Sequence, residues 1–288
     1  MLHVDPFLTH RRPCEAERQG AGAVVQDRLA VRDVYSLDAE SRERLQRRQE
    51  TLLSTESCAY GRGTVRARVG APGMFALGDR SRDSGRGAAL GCRAHTGWAA
   101  LVVVAGGVAR PEVVFRGRAE LGDPRARVKK NAYHAARGLE PAAAAALVDA
   151  AGRIAAEQAV AALERTVRQA SDAGAVVRSC AVVVGRSAAE ARLESILASH
   201  ALVHAAEGRL YQGALLQSAE SFGLETLAIP KQSIWEQGEA ALGVARDELR
   251  QWIDELRREI GPPWAQDQKL AALAGWIALA RGVYGFRG

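Results

Sequence analysis

Lysine is scarce in this sequence. Among 39 basic residues, only positions 129, 130, 231 and 269 are lysine, so nearly all of the positive charge is carried by arginine. The planar arginine fork suits phosphates and carboxylates, although a preference for arginine over lysine also follows from genome base composition. The formal net charge is +6 and charged residues make up 25% of the chain. The surplus of positive charge is therefore modest and forms no basic block.

Long apolar runs, paired cysteines and several common catalytic motifs are also missing. No stretch reaches the roughly 18 to 20 uncharged apolar residues of a membrane helix, and no apolar segment follows the early arginines, as an export signal would require. Neither GxxxxGK[ST] nor GxSxG occurs. The four cysteines lack metal-binding spacing and are expected to be reduced thiols; they are Cys14, Cys58, Cys92 and Cys180. We expect a soluble, cytoplasmic protein that makes no membrane contact.

The first 86 residues differ from the rest of the chain. Their hydrophobic periodicity is weak and they end in GDRSRDSGRG, so residues 1–86 are predicted to be a poorly ordered N-terminal extension. A single charged helix is predicted from Leu37 to Leu53. Met74 is the only methionine after Met1. One hypothesis is that the folded protein begins near Met74. The residues before it would then be a flexible extension or the result of a mis-assigned start. Residues 87–288 are predicted to form the folded domain.

An orderly pattern of strands and helices begins at residue 88. Three strands are predicted in succession, at 88–92, 98–105 and 112–121, with a polar loop of Arg93, His95 and Thr96 between the first two. Helices and strands then alternate, at 141–171 (helix), 179–185 (strand), 199–221 (helix) and 226–229 (strand), before three final helical segments. An antiparallel meander of three strands followed by alternating helices and strands implies a mixed α/β sheet.

The element order and several stretches resemble the ribonuclease H-like superfamily, in particular its RuvC-type Holliday-junction resolvase branch. The stretches are ALGCRAHTGWAALVVV, ALVHAAEGRLYQGALLQSAESFGL, PKQSIWEQGEAALG and WAQDQKLAALAGWIALA. The resemblance covers residues 88 to 281 and rests on order, lengths and small-residue texture. It implies a ribonuclease H-like mixed sheet, a bacterial-type protein, and phosphodiester cleavage by two metal ions held by carboxylates at the strand ends.

Most of the carboxylates that this chemistry needs are absent. Carried over from the family, the aspartate of the first strand falls at Arg93 or its neighbours and the glutamate of strand four falls near Gly185, and none of these residues is acidic. Asp267 matches an acidic position of the last helix, but the next one falls on Lys269 or Leu270. A cation in place of a metal ligand repels the metal. We therefore expect a divergent, non-catalytic member that binds DNA, RNA or a protein partner. The predicted contacts are Arg93, His95, Lys129, Lys130 and Lys269.

A second group of candidates shares one face of the helix predicted at 199–221. His200, His204, Glu207 and Tyr211 follow one another at helical spacing. Two histidines four residues apart can bind zinc together, although an HExxH motif would need glutamate at position 201. A plain polar face, in which the histidines pair with Glu207, is the other interpretation.

These residues support an alternative function, a metal-assisted hydrolase or nuclease. Its catalytic residues would be Asp267, Glu207 and His204, and its metal ligands would come from His200, His204 and Asp267. The hydrolase would need a divalent metal as cofactor. A protein that only binds nucleic acid or a partner would need no cofactor. Two further surfaces are left open: a thin basic and aromatic patch of Lys129, Lys130, Tyr133 and His134 for single strands, and the amphipathic helix at 252–260 for a homodimer.

Overall fold

The computed structural model describes residues 85–123, 130–185 and 191–284. Its elements are β1 Arg86–His95, β2 Trp98–Ala105, β3 Glu112–Glu120, α1 Ala132–Ala136, α2 Pro141–Asp172, β4 Ala175–Val184, α3 Leu193–Ala198, α4 His200–Ser221, β5 Glu225–Pro230, α5 Ile234–Leu242, α6 Arg246–Ile260 and α7 Gln266–Tyr284. Residues 1–84 of the predicted extension, with its helix at 37–53, and Lys129 lie outside the described residues. The domain boundary after residue 86 stays a prediction.

The strands form one mixed sheet in the order β3-β2-β1-β4-β5. β1, β2 and β3 pair antiparallel, whereas β4 pairs parallel to β1 and β5 pairs parallel to β4. Parallel neighbours require a crossover, and α2 provides the one before β4 while α3 and α4 provide the one before β5. The predicted meander followed by alternating helices and strands is confirmed. The carboxyl ends of β1, β4 and β5 therefore lie at one edge of the sheet, which we call the strand-end edge.

The two faces of the sheet bury two separate hydrophobic cores. Alternate strand residues such as Leu90 and Leu101 pack with α2 and α4 on one face. Their neighbours, such as Ala89 and Val102, pack with α5, α6 and α7 on the other face. This alternation is expected because successive side chains of a strand point to opposite faces. Side chains on the α7 face near the strand-end edge are thus separated by the sheet from those on the α4 face.

The prediction of a polar loop between β1 and β2 is wrong. β1 continues to His95, and Arg93 pairs with Ala100 while His95 pairs with Trp98. Only Thr96 and Gly97 form the turn, with Gly97 at a φ of 81°. Successive side chains of a strand point to opposite faces of the sheet. Cys92 and Ala94 are buried on the α4 face, so Arg93 and His95 point to the α7 face and the strand continues.

α7 lies almost directly on β1, and two glycines make this possible. A methyl group added to Gly91 would lie 1.8 Å from the carbonyl oxygen of Ala271, and one added to Gly275 would lie 3.1 Å from the amide nitrogen of Gly91. Neither glycine has a positive φ that would require it. The glycines are therefore needed for close packing of helix against strand, and this packing brings the first turn of α7 to the strand-end edge.

The helix boundaries agree with the residues that begin and end them. α2 has Pro141 in its first turn, the Ser199 side chain caps α4 by accepting from the Leu202 amide at 3.4 Å, and α5 ends at Gly243 with a left-handed φ of 66°. The short helix α1 was not predicted. The capping-box spacing of Ser187 and Glu190 predicts a helical turn before α4; those two residues lie outside the described residues, and α3 follows at Leu193. None of the helices in the described ranges combines the length and the apolar character that crossing a membrane requires.

Two of the four cysteines can be placed. Cys92 and Cys180 are free and buried on neighbouring strands, with their sulfur atoms 3.8 Å apart. The hydrogen bond with Cys180 and burial both raise the pKa of the Cys92 thiol. The prediction of reduced thiols is confirmed for this pair, and the raised pKa of Cys92 keeps that thiol protonated.

Candidate functional site

Three of the predicted site residues meet at the strand-end edge. Arg93 and His95 lie at the carboxyl end of β1, and Asp267 is in the first turn of α7. His95 Nε2 donates a hydrogen bond to Asp267 Oδ1 at 2.8 Å, and Arg93 Nε lies 3.9 Å from the same oxygen. These three residues are called the strand-end cluster. Its one carboxylate is shared by two nitrogen groups that carry or can carry positive charge.

Arg93 is a poorly compensated cation. Its side chain is only 12% exposed, and Nε is buried without a hydrogen-bond partner in the described part of the chain. One terminal nitrogen donates to the Ala94 carbonyl at 3.1 Å. Burial lowers the pKa of the Arg93 guanidinium, and the charge of Asp267 opposes that effect. Because arginine stays charged, this environment favours the approach of an anion.

An aromatic stack adjoins the strand-end cluster. The rings of His95 and Trp98 lie 4.4 Å apart and are nearly parallel, at 8°. The Arg118 guanidinium of β3 lies 3.8 Å from the centre of the Trp98 ring, a distance at which the cation is attracted by the ring. Arg118 also forms an ion pair with Glu120 at 2.7 Å. Trp98 is on β2, and its two ring contacts come from the neighbouring strands β1 and β3.

The two described lysines among the predicted contacts have different surroundings. Lys130 is exposed beside the β1–β2 turn, since a methyl group on Gly97 would lie 3.0 Å from its Cβ atom. The Tyr211 hydroxyl donates to the Lys130 carbonyl at 2.6 Å. Lys269 forms an ion pair with Asp254 of α6 at 2.6 Å. Lys130 therefore leaves its charge available next to the strand-end edge, whereas the charge of Lys269 is matched by a carboxylate.

The remaining candidates form a second group on the α4 face. His134, His200 and His204 each offer a nitrogen, and these three atoms lie within 4.8 Å of one another. His200 Nε2 and His204 Nε2 are 3.0 Å apart. We call these three residues the histidine cluster. In the described part of the chain, it is the one group of three or more histidine, cysteine or acidic side chains with this spacing.

Glu207 hydrogen bonds to His134 of the histidine cluster. Its Oε1 atom accepts from the His134 backbone amide at 3.2 Å and from His134 Nδ1 at 3.3 Å. The residue is 2% exposed, and its Oε2 atom is buried without a hydrogen-bond partner among the described residues. Burial, and secondarily the charge of Glu207, raise the pKa of Tyr211 beyond its usual range. A buried carboxylate with one orphaned oxygen is costly unless a cation compensates it.

The structure thus divides the predicted site residues between two places. Asp267, expected beside His200 and His204, hydrogen bonds to His95 instead, and the third histidine of the cluster is His134. His134 had been assigned to a basic patch, and the helical spacing of α4 gives no signal for it. Trp98 and Arg118 were not predicted as site residues. Their pairing follows from the register of β2 with β1 and β3.

No protein-family model matches this chain, and no curated protein matches it. Among solved structures, it is similar to RuvC of Thermus thermophilus, with a TM-score of 0.41, 14% identity, and coverage of 69% of this chain and 96% of that one. It is also similar to RuvC of T. thermophilus in complex with a Holliday junction substrate, with a TM-score of 0.38, 16% identity, and coverage of 70% and 96%. This chain itself has an α/β fold built on a mixed five-stranded sheet, in the order β3-β2-β1-β4-β5.

Proposed function

We propose that this chain is a divergent ribonuclease H-like protein that binds nucleic acid over the strand-end edge and does not cleave it. The observation that carries the proposal is the position of Arg93. It stands where the first-strand aspartate of the RuvC-type family would be, and it lies 3.9 Å from Asp267. At this edge a cation therefore takes the place of a metal ligand, and the matching carboxylate is already compensated.

Charge explains why two-metal cleavage is not proposed. A Mg²⁺ ion needs several oxygen ligands, and a cation bound by Asp267 would lie next to a buried guanidinium. Two positive charges about 4 Å apart repel by roughly 1 kcal/mol in water and by more in a less polar site. Asp267 also accepts the hydrogen bond from His95. The same positive charge attracts the negative charge of a phosphate group that approaches this edge of the sheet.

The aromatic stack favours nucleic acid with unpaired bases. Trp98 is partly exposed and is packed against His95 and Arg118. A base that extends this stack, on the His95 ring or on the Arg118 guanidinium, would contribute about 1–3 kcal/mol, and such stacking tolerates any sequence. Exposed cations, Arg118 and Lys130, lie beside it to contact the backbone. A protein partner remains the second choice, because the combination of stacked rings and phosphate-binding groups is more specific for nucleic acid.

The test is a salt titration of binding to fluorescent single-stranded, duplex and branched DNA and to single-stranded RNA, with the full chain. Binding should be tightest for probes with unpaired bases and should weaken steeply with salt. Arg118→Gln should lower the slope of log K against log salt by about 0.7 to 0.9, the contribution of one phosphate contact. Arg168→Gln is the matched control. Both arginines are exposed and paired with a nearby glutamate, but Arg168 is on α2, away from the strand-end edge.

Two results would overturn the proposal. One is the absence of binding to every probe at about 50 mM salt, where phosphate-led binding is strongest. The other is cleavage of branched DNA in Mg²⁺ or Mn²⁺ that disappears in Asp267→Asn, because this would show that Asp267 serves a nuclease site despite Arg93. Equal salt slopes for the two arginine variants would move the interface elsewhere on the chain.

Three other expectations stay predictions. They are the metal-assisted hydrolase built on His204, Glu207 and Asp267, the homodimer through the helix at 252–260, and the cytoplasmic location. The hydrolase needs Asp267 to act together with the histidines of α4. The hydrogen-bond partner of Asp267 is instead His95 on β1. The hydrolase therefore has less support than the binding protein.

A further inference from the structure

The histidine cluster joins two elements that the sequence separates widely. His134 is on α1, whereas His200 and His204 are on the first turns of α4. The chain contains six histidines in all, and three of them meet here with their nitrogens within 4.8 Å. We propose that His134, His200 and His204 bind one divalent transition-metal ion, with zinc the best fit.

The spacing of the nitrogens suits a single small ion. Two imidazole nitrogens bound to the same tetrahedral Zn²⁺, each at about 2.0–2.1 Å, lie roughly 3.3 Å from each other. His200 Nε2 and His204 Nε2 are 3.0 Å apart, and the third nitrogen lies within 4.8 Å. A movement of the His134 nitrogen by up to about 1.5 Å, which rotation about its side-chain bonds can supply, therefore completes three ligands.

Glu207 is the observation that distinguishes a metal site from a polar face. In the neutral imidazole of His134, donation from Nδ1 to Glu207 Oε1 places the lone pair on Nε2, which can then bind a metal. Metal-binding histidines are commonly oriented by a carboxylate in this way. Glu207 is also 2% exposed with Oε2 unpartnered in the described chain. A bound dication supplies the positive charge that this buried carboxylate lacks.

The ligand set indicates the class of metal and the state of the site. Imidazole nitrogens favour zinc, copper, nickel and iron, whereas calcium and magnesium prefer oxygen. Three histidines leave one position of a tetrahedral ion free. His200 and His204 are exposed, so that position faces solvent and takes water or a donor atom of a ligand. The site is independent of the strand-end edge and of the proposed nucleic-acid binding.

The test is a calorimetric titration of Zn²⁺ into the full chain, prepared without a histidine tag and stripped of metal. One equivalent should bind to the wild-type protein. His204→Asn should lose at least tenfold in affinity, and His200→Asn should behave in the same way. His95→Asn is the matched control, because it removes a histidine of the strand-end cluster and should leave zinc binding unchanged. His200 and His204 are exposed, so their replacement should not affect folding, which circular dichroism checks.

A second variant separates a supporting role from a ligand role. Glu207→Gln keeps the size of the side chain but removes its charge, and the affinity for zinc should fall about 10- to 100-fold while the stoichiometry stays at one. Replacement of zinc by Co²⁺ should give visible absorption bands of a four-coordinate site, absent in His204→Asn. The proposal is overturned if the wild-type chain binds no zinc, or if His204→Asn binds it as tightly as His95→Asn does.

Discussion

The strand-end cluster and the histidine cluster contain the same kinds of polar group but combine them in opposite ways. In the first, the carboxylate of Asp267 is 30% exposed and has two nitrogen partners, Arg93 and His95. In the second, the carboxylate of Glu207 is buried and its only side-chain partner among the described residues is His134. One carboxylate is thus compensated within the chain, and the other retains negative charge that the described side chains do not balance.

The difference is the arginine. A guanidinium cannot lose its proton in a protein, so it excludes a metal ion from the strand-end cluster at any ordinary pH. Imidazoles can be neutral and can offer lone pairs, so the histidine cluster accepts a cation. A histidine beside a carboxylate therefore does not define a metal site by itself. The third group, cation or imidazole, decides whether the site attracts an anion or a metal.

The largest expected effect comes from separating α7 from β1. In Gly91→Ala, the new methyl group would overlap the Ala271 carbonyl, which is 1.8 Å away, so α7 must shift. We expect a loss of about 3 kcal/mol or more in the free energy of unfolding, at the upper end for overpacking, measured with denaturant. In the fraction that stays folded, nucleic-acid binding should weaken because Asp267 leaves its partners, whereas zinc binding on the opposite face should persist.

Gly152→Ala is the control for this change. Gly152 lies within α2, and an added methyl group there meets nothing within 4 Å. Alanine is preferred to glycine inside a helix by up to about 1 kcal/mol, so this variant should be as stable as the wild type or more so. Loss of both binding activities in Gly91→Ala would mean that the two clusters are not independent.

A smaller effect is expected when the charge of the strand-end cluster is inverted. Arg93→Asp places a second carboxylate near Asp267 and should lower the unfolding free energy by about 1 kcal/mol or more. Added Mg²⁺ should restore part of this loss, because two carboxylates can bind a hard cation, whereas the wild-type melting temperature should not respond. Arg93→Gln, which removes the cation without adding an acid, is the control. If Mg²⁺ stabilised Arg93→Gln as much as it stabilised Arg93→Asp, the charge argument would be contradicted.

The smallest effect concerns Tyr211, which lies near Glu207 and hydrogen bonds to the Lys130 carbonyl. Its raised pKa, caused by burial and then by Glu207, keeps the phenol protonated as donor to the Lys130 carbonyl. A folded pKa above the unfolded value of about 10 gives stability that is complete below that pH and is lost as the pH rises above it. Tyr211→Phe should therefore cost about 1 kcal/mol at neutral pH and have a shallower alkaline decline in unfolding free energy. Parallel declines in both proteins would contradict the assigned pKa direction.

Much of the fold was predictable because its elements repeat simple patterns. The long helix α2 has proline in its first turn and a buried alanine face, and β4 is a β-branched run next to glycine. Such features act locally and can be recognised along the sequence. The end of β1 was misjudged because Arg93 and His95 looked like loop residues. Only their alternation with the buried Cys92 and Ala94 reveals the strand.

The sites were less predictable because their residues meet through the fold. The spacing of His200 and His204 predicted one helical face correctly, since four residues make about one helical turn. Nothing local connects either residue to His134, which reaches them only because α1 packs near α4. Asp267 was expected with those histidines, and its contact with His95 depends on how closely α7 approaches β1. Helical and strand periods fix neighbours within an element but not between elements.

The two glycines between α7 and β1 have a consequence for recognising relatives of this chain. The charged residues of the strand-end cluster are partly exposed at one end of the sheet, so we expect them to constrain the fold less than the contact of α7 with β1 does, and acidic motifs to be a poor guide to kinship. Gly91 tolerates no larger residue without a shift of the backbone, because a methyl group there would meet only main-chain atoms, whereas Gly275 is limited less severely, by main-chain atoms at 3.1 and 3.3 Å and the Val104 side chain at 3.2 Å. Distant homologues should be sought by this pair of small residues, one in the first strand and one in the last helix, rather than by catalytic acids.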